Sequence, residues 1–275
     1  YDAAFATLGG YYGHSARSAI TTLTLWGGFA STVCWPLSAL FLEHWGWRGT
    51  CVAYAAIHLA ICLPLVLLVL PHNGKPKPAD GKHKTPRIEL HGHERRAYLT
   101  MMAIMVLAGL GVTIISVHLL TLLQQRGLSL AEAVALGALI GPAQVAGRIG
   151  EMVSGGRHHP FWTLAIATAL GAAGMTMLAA GFPVIGLSLV LYGAGNGIFS
   201  IAKGALPLAL FGPARYAPIM GRLARPGLIA QAVGPTVGAL LLSVAGAGQT
   251  LIMLAALALA NLALVALLWG SVAKG

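Results

Sequence analysis

Charge is what this sequence has least of. Only 9% of its 275 residues are Asp, Glu, Lys or Arg, and just seven of those are acidic. A soluble domain carries about 25%, so this chain cannot clothe a water-facing surface. Cysteine is also scarce. Cys34, Cys51 and Cys62 stand singly in apolar runs with no CxxC pair, which excludes a disulfide framework and a cysteine metal site. No GxxxxGK[ST] phosphate loop occurs, which argues against a nucleotide-driven pump. There is no initiating Met and no readable signal peptide, so a fragment or a processed chain is expected.

What remains is apolar: 57% hydrophobic residues and a mean hydropathy of +0.79. A spanning helix needs about 20 mostly apolar residues. Eight stretches qualify: 18–41, 50–70, 97–123, 130–152, 161–181, 184–207, 226–245 and 248–270. Residues 1–12 read as the tail of a further span. Helices are required because an isolated helix satisfies its own backbone in lipid, and no run shows the alternation of a barrel strand. The expected fold is an all-α, polytopic helical membrane protein.

One connector differs from the rest. PHNGKPKPADGKHKTPRIELHGHERR, residues 71–96, is rich in Lys, Pro, Gly and His. It divides the chain into 1–70, a linker 71–96, and 97–275. If the linker is cytoplasmic and each span crosses once, fifteen of the 17 Lys and Arg fall on that side. These are Arg17, seven between 75 and 96, Arg148, Arg157, Lys203, Arg215, Arg222, Arg225 and Lys274. Only Arg48 and Arg126 fall outside. Basic residues are retained on the cytoplasmic side, so the +10 net charge reports topology. The basic residues form no basic helix or aromatic-interleaved patch of the kind that binds nucleic acid. On this reading GPARYAPIMGRLARPG, residues 212–227, is a cytoplasmic connector.

The local phrases carry a resemblance. GHSARSAITTLTLWGGFASTVCWPLSALFLEHWGWRG, GALIGPAQVAGRIGE, YGAGNGIFSIAKGALPLALFGP and GRLARPGLIAQAVGPTVGALL resemble the fifth, eighth, tenth and eleventh helices of the major facilitator superfamily. The resemblance covers essentially the whole chain. It implies twelve helices in two six-helix halves, with 1–12 ending the fourth helix, a partial N-terminal half and a complete C-terminal half. GRIGEMVSGGRHHP keeps Gly147, Arg148 and Arg157 of the repeated loop signature but lacks its Asp-Arg pair. The resemblance implies a secondary transporter of a small solute working by alternating access, with proton-coupled efflux or exchange expected. Uniport or organic-anion uptake is the alternative.

An ionisable group inside a membrane is costly and is a functional candidate by default. Asp2, about ten residues from the turn at 9–15, would sit roughly 15 Å deep. It reads as a proton- or substrate-binding acid, or as an acid paired with a basic residue in the missing first three helices. Gln144, Arg148 and Glu151 share one helix face. Arg148 and Glu151 could pair as a cytoplasmic latch, or Arg148 could hold an anion. Asn196, in GAGNG, could bind solute or tie helices together. Lys203 is placed near the inner mouth. His118 could gate by protonation or could be a packing residue, His58 reads as structural, and Gln231 as a cavity candidate. Thr21, Thr22, Thr24, Ser31 and Thr32 either line their span or bond back to it. Pro36, Pro142, Pro207 and Pro235 permit kinks.

The intramembrane polar groups are single and spread over different helices. That is poor for catalysis, and no filter-like loop suggests a channel. A membrane-embedded enzyme is therefore the weaker reading. No cofactor and no metal are expected; the His-rich linker (His72, His83, His91, His93) reads as a solvated tether. The expected partners are the lipid bilayer, a small solute and protons, with the protein monomeric in a bacterial inner (plasma) membrane.

Overall fold

The structure, a computed structural model, describes residues 1–69, 90–154 and 158–272, without the side chains at 14, 29, 31, 32, 35, 36, 39, 69, 271 and 272. Most of the linker with His72 and His83, together with Arg157 and Lys274, lies outside the described residues. So do the side chains of Ser31, Thr32 and Pro36.

Every regular element among the described residues is helical: α1 (Asp2–Tyr12), α2 (Ala16–Ile57), α3 (Leu63–Val69), α4 (Gly92–Gln124), α5 (Leu130–Gly137), α6 (Ile140–Val153), α7 (Pro160–Ala179) and α8 (Ile185–Val272). A straight helix of 88 residues, the length of α8, would run roughly 130 Å, several bilayers thick. Gly212 and Gly246, with φ of 71° and 74°, interrupt it. It is thus three helices, 185–211, 213–245 and 247–272, each of spanning length. Gly46 (φ 63°) divides α2 in the same way. A positive φ costs glycine little and other residues more, so these three positions reverse the chain without a loop.

The stretches expected to span are helical where described, with two differences. Span 130–152 is two helices, broken at Ala138–Leu139. Pro142 has no N–H, so the Ala138 carbonyl loses its helical donor, and the chain tightens there with Leu139 N–H donating to the Leu136 carbonyl (3.1 Å). Residues 212–227, expected to form a connector, are helical from Pro213 onward. Proline is pre-set for a first helical position, and Gly212 alone makes the turn.

The chain divides into two compact units, Tyr1–Leu25 with Ile88–Gly275, and Trp26–Arg87. In the larger unit, 213–245 and α4 pack closely enough that a Cβ at Gly234 would lie 2.9 Å from Thr113 Cβ. The helix 185–211 is clasped from two sides. A Cβ on Gly193 would lie 2.8 Å from the Ile140 carbonyl oxygen, and one on Gly195 would lie 2.6 Å from that of Ala167. Lipid is as apolar as leucine, so helices in a bilayer associate by close packing, and small residues permit it. Phe5, Ala16, Ile20, Leu208, Tyr216 and Met220 form a buried cluster, which docks residues 1–25 onto 208–220. The smaller unit is a hairpin. Ser38 Oγ donates to Tyr54 Oη (2.6 Å), which donates to the Cys34 carbonyl (3.1 Å).

Candidate functional site

Three polar clusters stand out in the larger unit. The first is built on Glu151, which is buried in the last turn of α6. An acid there opposes the helix dipole, as does Arg17 in the first turn of α2. Each offsets the other's misplacement: Arg17 Nη2 lies 3.3 Å from Glu151 Oε1. Thr163 Oγ1 donates to the same oxygen at 2.8 Å. Thr163 has only that one proton to give, so His158 Nε2, 3.1 Å from Thr163 Oγ1 and 3.4 Å from Glu151 Oε2, must carry a proton of its own. Arg17 Nη1 also donates to the His158 carbonyl at 2.6 Å.

His159, beside this cluster, caps α7. Its Nδ1 accepts from the Phe161 N–H at 3.2 Å. Desolvation, followed by the charge of Arg17, pushes the imidazole below its usual pKa, which keeps the accepting lone pair free.

The second cluster joins Asp2 and Lys203, with Lys203 Nζ 2.7 Å from Asp2 Oδ1. The contact is one of charges rather than an aligned hydrogen bond, since that oxygen is buried and accepts none. Asp2 is eleven residues from Gly13, roughly 16 Å along a helix, and Lys203 is nine from Gly212, roughly 14 Å. Both therefore lie at similar distances along their helices from the turns at Gly13 and Gly212. Lys203, expected nearer the mouth, sits as deep as the acid it meets.

The third cluster is Arg148. It is 6% exposed, and its Nε donates to Ser200 Oγ at 3.2 Å. Ser200 in turn donates to the Gly197 carbonyl at 2.6 Å. The Arg148–Glu151 latch suggested by their spacing does not form, because Glu151 turns to Arg17 and Thr163. Among the described residues Arg148 has no carboxylate partner. Arg215 forms a bidentate pair with Glu94 at 2.6 and 2.9 Å. It is therefore balanced by an acid 121 residues away, although no acid stands near it in sequence.

The other candidates separate. His118 Nε2 donates to the Pro235 carbonyl at 2.8 Å and ties α4 to 213–245. Gln231 is exposed, and a Cβ at Gly109 would lie 3.2 Å from its Cγ. The backbone of Gln144 crosses closely at Gly197. The ring of His58 bonds back to the Tyr54 carbonyl at 2.8 Å. Thr21 and Thr24 bond back within their helix, to the carbonyls of Arg17 (3.0 Å) and Thr21 (2.8 Å). Asn196 lines a cavity inside the larger unit together with Asn261. Asn261 was not singled out from the sequence, although an asparagine alone in LAALALANLALVALL carries the same signal as Asn196. Arg17, Thr163 and His158 were missed as site residues for a different reason: their grouping exists only in the folded chain.

The family model of the Major Facilitator Superfamily matches residues 3–158. No curated protein matches the chain. The matched stretch is more than half of the sequence and contains Arg17, Arg148 and Glu151. The chain thus belongs to the Major Facilitator Superfamily, and it is a helical multi-pass membrane protein of a transporter family.

Proposed function

We propose that the protein is a proton-coupled secondary transporter that exports or exchanges a small solute by alternating access, with Asp2 carrying the coupling proton. One observation supports this reading above the others: the contact between Asp2 and Lys203 at 2.7 Å, deep among apolar helices. While ionised, Asp2 holds Lys203 and so joins α1 to the helix 185–211. A proton on Asp2 removes the attraction, and in a water-poor setting the loss is not made up by solvent. Protonation therefore loosens one helix from another, which is the coupling an exchanger needs. The Arg17–Glu151 cluster is a second ionic tie between helices of the same unit.

The test uses the full-length parent in proteoliposomes loaded with a pH-sensitive dye. A panel of organic acids, sugars and amphipathic drugs is applied to wild type and Asp2→Asn. The expected result is a proton flux triggered by one compound in wild type and abolished in Asp2→Asn, with expression and folding unchanged. Unchanged coupling in the variant sinks the assignment.

A second reading, anion uptake or uniport, is favoured by Arg148, which is buried without a carboxylate partner among the described residues. In the same assay it appears as entry of an organic acid with no proton movement. On either reading the halves are 1–70 and 97–275, and the protein acts as a monomer in a bacterial inner membrane. Residues 71–96 and the C-terminus then face the cytoplasm. Labelling of a cysteine placed in that linker by an impermeant reagent outside intact cells would contradict this orientation.

A further inference from the structure

Arg148 carries a buried positive charge that no described acid balances. The described acids of the larger unit are all committed. Asp2 meets Lys203 at 2.7 Å, Glu94 meets Arg215 at 2.6 Å, and Glu151 meets Arg17 at 3.3 Å. Glu132 closes the capping box at Ser129. Glu43 stands in the other unit, and Asp80 and Glu89 lie outside the described residues. A charge inside a membrane is costly, and residues that carry one either pair or mark the path of a solute.

The guanidinium is held by one edge only. Its Nε–H donates to Ser200 Oγ at 3.2 Å, and Ser200 spends its own proton on the Gly197 carbonyl at 2.6 Å. Next to this pair the two helices touch, since a Cβ on Gly147 would lie 2.6 Å from the Ala194 carbonyl oxygen. Close packing of this kind is what fixes helices in a bilayer, so Arg148 and Ser200 stand on one rigid platform. Nη1 and Nη2 make no bond to the described residues. Yet neither is sealed off: among the described residues the buried, unpartnered side-chain atoms are Asp2 Oδ1, Ser188 Oγ and Asn261 Oδ1. The charged end of Arg148 therefore keeps an opening, although the residue as a whole is 6% exposed. Gln144, one turn along the same face, is exposed and offers a neutral amide beside it.

We propose that the transported solute is a small organic monocarboxylate, held end-on by Nη1 and Nη2 of Arg148. The two Nη groups form a fork that matches the two oxygens of a carboxylate. Ser200 is a positioning residue, because it occupies the Nε edge and leaves only that end free. The charge count sets the class. One spare positive charge is neutralised by one negative charge, whereas a dianion would leave a net charge among apolar helices and a neutral solute would leave the arginine unbalanced. The inference rests on the transporter reading above, but it does not use Asp2 or Lys203.

The test is equilibrium binding to the full-length protein in non-ionic detergent, with radiolabelled acetate, lactate and benzoate as probes. Each is competed by its own unlabelled acid and by its primary amide. At least one acid should bind saturably and be displaced by the acid but not by the amide. Arg148→Lys keeps the charge but not the fork and should weaken that acid roughly tenfold. Arg148→Gln should abolish saturable binding. Equal displacement by acid and amide in wild type overturns the proposal even if a variant fails to fold. Saturable binding that both variants retain overturns it as well. So does the absence of saturable binding for all the probes, which leaves the charge to an acid elsewhere in the full-length chain or to a lipid phosphate. Proteoliposomes judge the coupling scheme separately. An acid that binds through Arg148 without triggering proton flux would end the role of Asp2 and keep this site. A proton flux triggered by a neutral compound and unchanged in Arg148→Gln would do the reverse.

Discussion

Replacing Arg17 with alanine should cost more stability than replacing its partner Glu151 with glutamine. The asymmetry follows from burial, since the side chains of Arg17 and Glu151 are 21% and 7% exposed. Removing Arg17 leaves a buried carboxylate with Thr163 and His158 for company. Fully buried pairs broken in this way lose about 3–5 kcal/mol, and exposed pairs about 0–1. The partial exposure of Arg17 and the 3.3 Å separation place this loss near 2 kcal/mol. Glu151→Gln keeps an oxygen for Thr163 and removes the charge that required Arg17, so about 1 kcal/mol is expected. The double variant should resemble Glu151→Gln alone, which gives a coupling energy of roughly 2 kcal/mol, about thirtyfold in the unfolding equilibrium. Reversible unfolding of the full-length protein by SDS in mixed micelles, followed by tryptophan fluorescence, measures all four corners of the cycle. Additivity within about 0.5 kcal/mol would refute the reasoning and reduce the contact to a crystal-like proximity without energetic consequence.

Two further outcomes can be checked on the same material. Gly147→Ala should lose about 1–3 kcal/mol, because its Cβ would lie 2.6 Å from the Ala194 carbonyl oxygen. Gly150→Ala in the same helix, where a Cβ meets nothing within 4 Å, should be neutral or slightly stabilising; equal losses in the two melts would contradict the close crossing. His159 is held below its usual pKa by desolvation and then by Arg17, so the stability of its neutral cap is fully present above the unfolded value of about 6.5 and is lost as pH falls below that and through the lowered folded value. Asn at 159 can cap without titrating, so the drop in melting temperature between pH 8 and pH 5 should be smaller in His159→Asn. An identical drop in both proteins would remove His159 from the explanation.

The spans were legible because length and hydropathy suffice for a helix in lipid. The break at Ala138 was legible in principle from Pro142, and the turn at Gly212 from the Gly-Pro pair. Partner choice was not. Asp2 could be recognised as deep and costly, yet nothing in the sequence names Lys203, 201 residues away, as its partner. Arg148 and Glu151 sit three apart on one helix, and spacing alone favoured their pairing. Tertiary packing brought Arg17 to the acid instead, and gave Arg148 only a serine. Arg17 at a helix start and Glu151 at a helix end did leave a trace, since each is on the wrong pole of its own dipole. Residues misplaced for their local structure are the ones whose partners lie elsewhere.

Gly212 and Gly246 join three long helices through one residue each. A joint of that length offers two torsions and no slack. Helices 185–211, 213–245 and 247–272 can tilt about fixed corners, but none can slide lengthwise past its neighbour as a piston. Any displacement along the membrane normal that reaches Lys203 must therefore be felt at Arg215 and onward to the far corner at Gly246. In mechanical terms the stretch 185–272 is a folded rule with two pinned hinges.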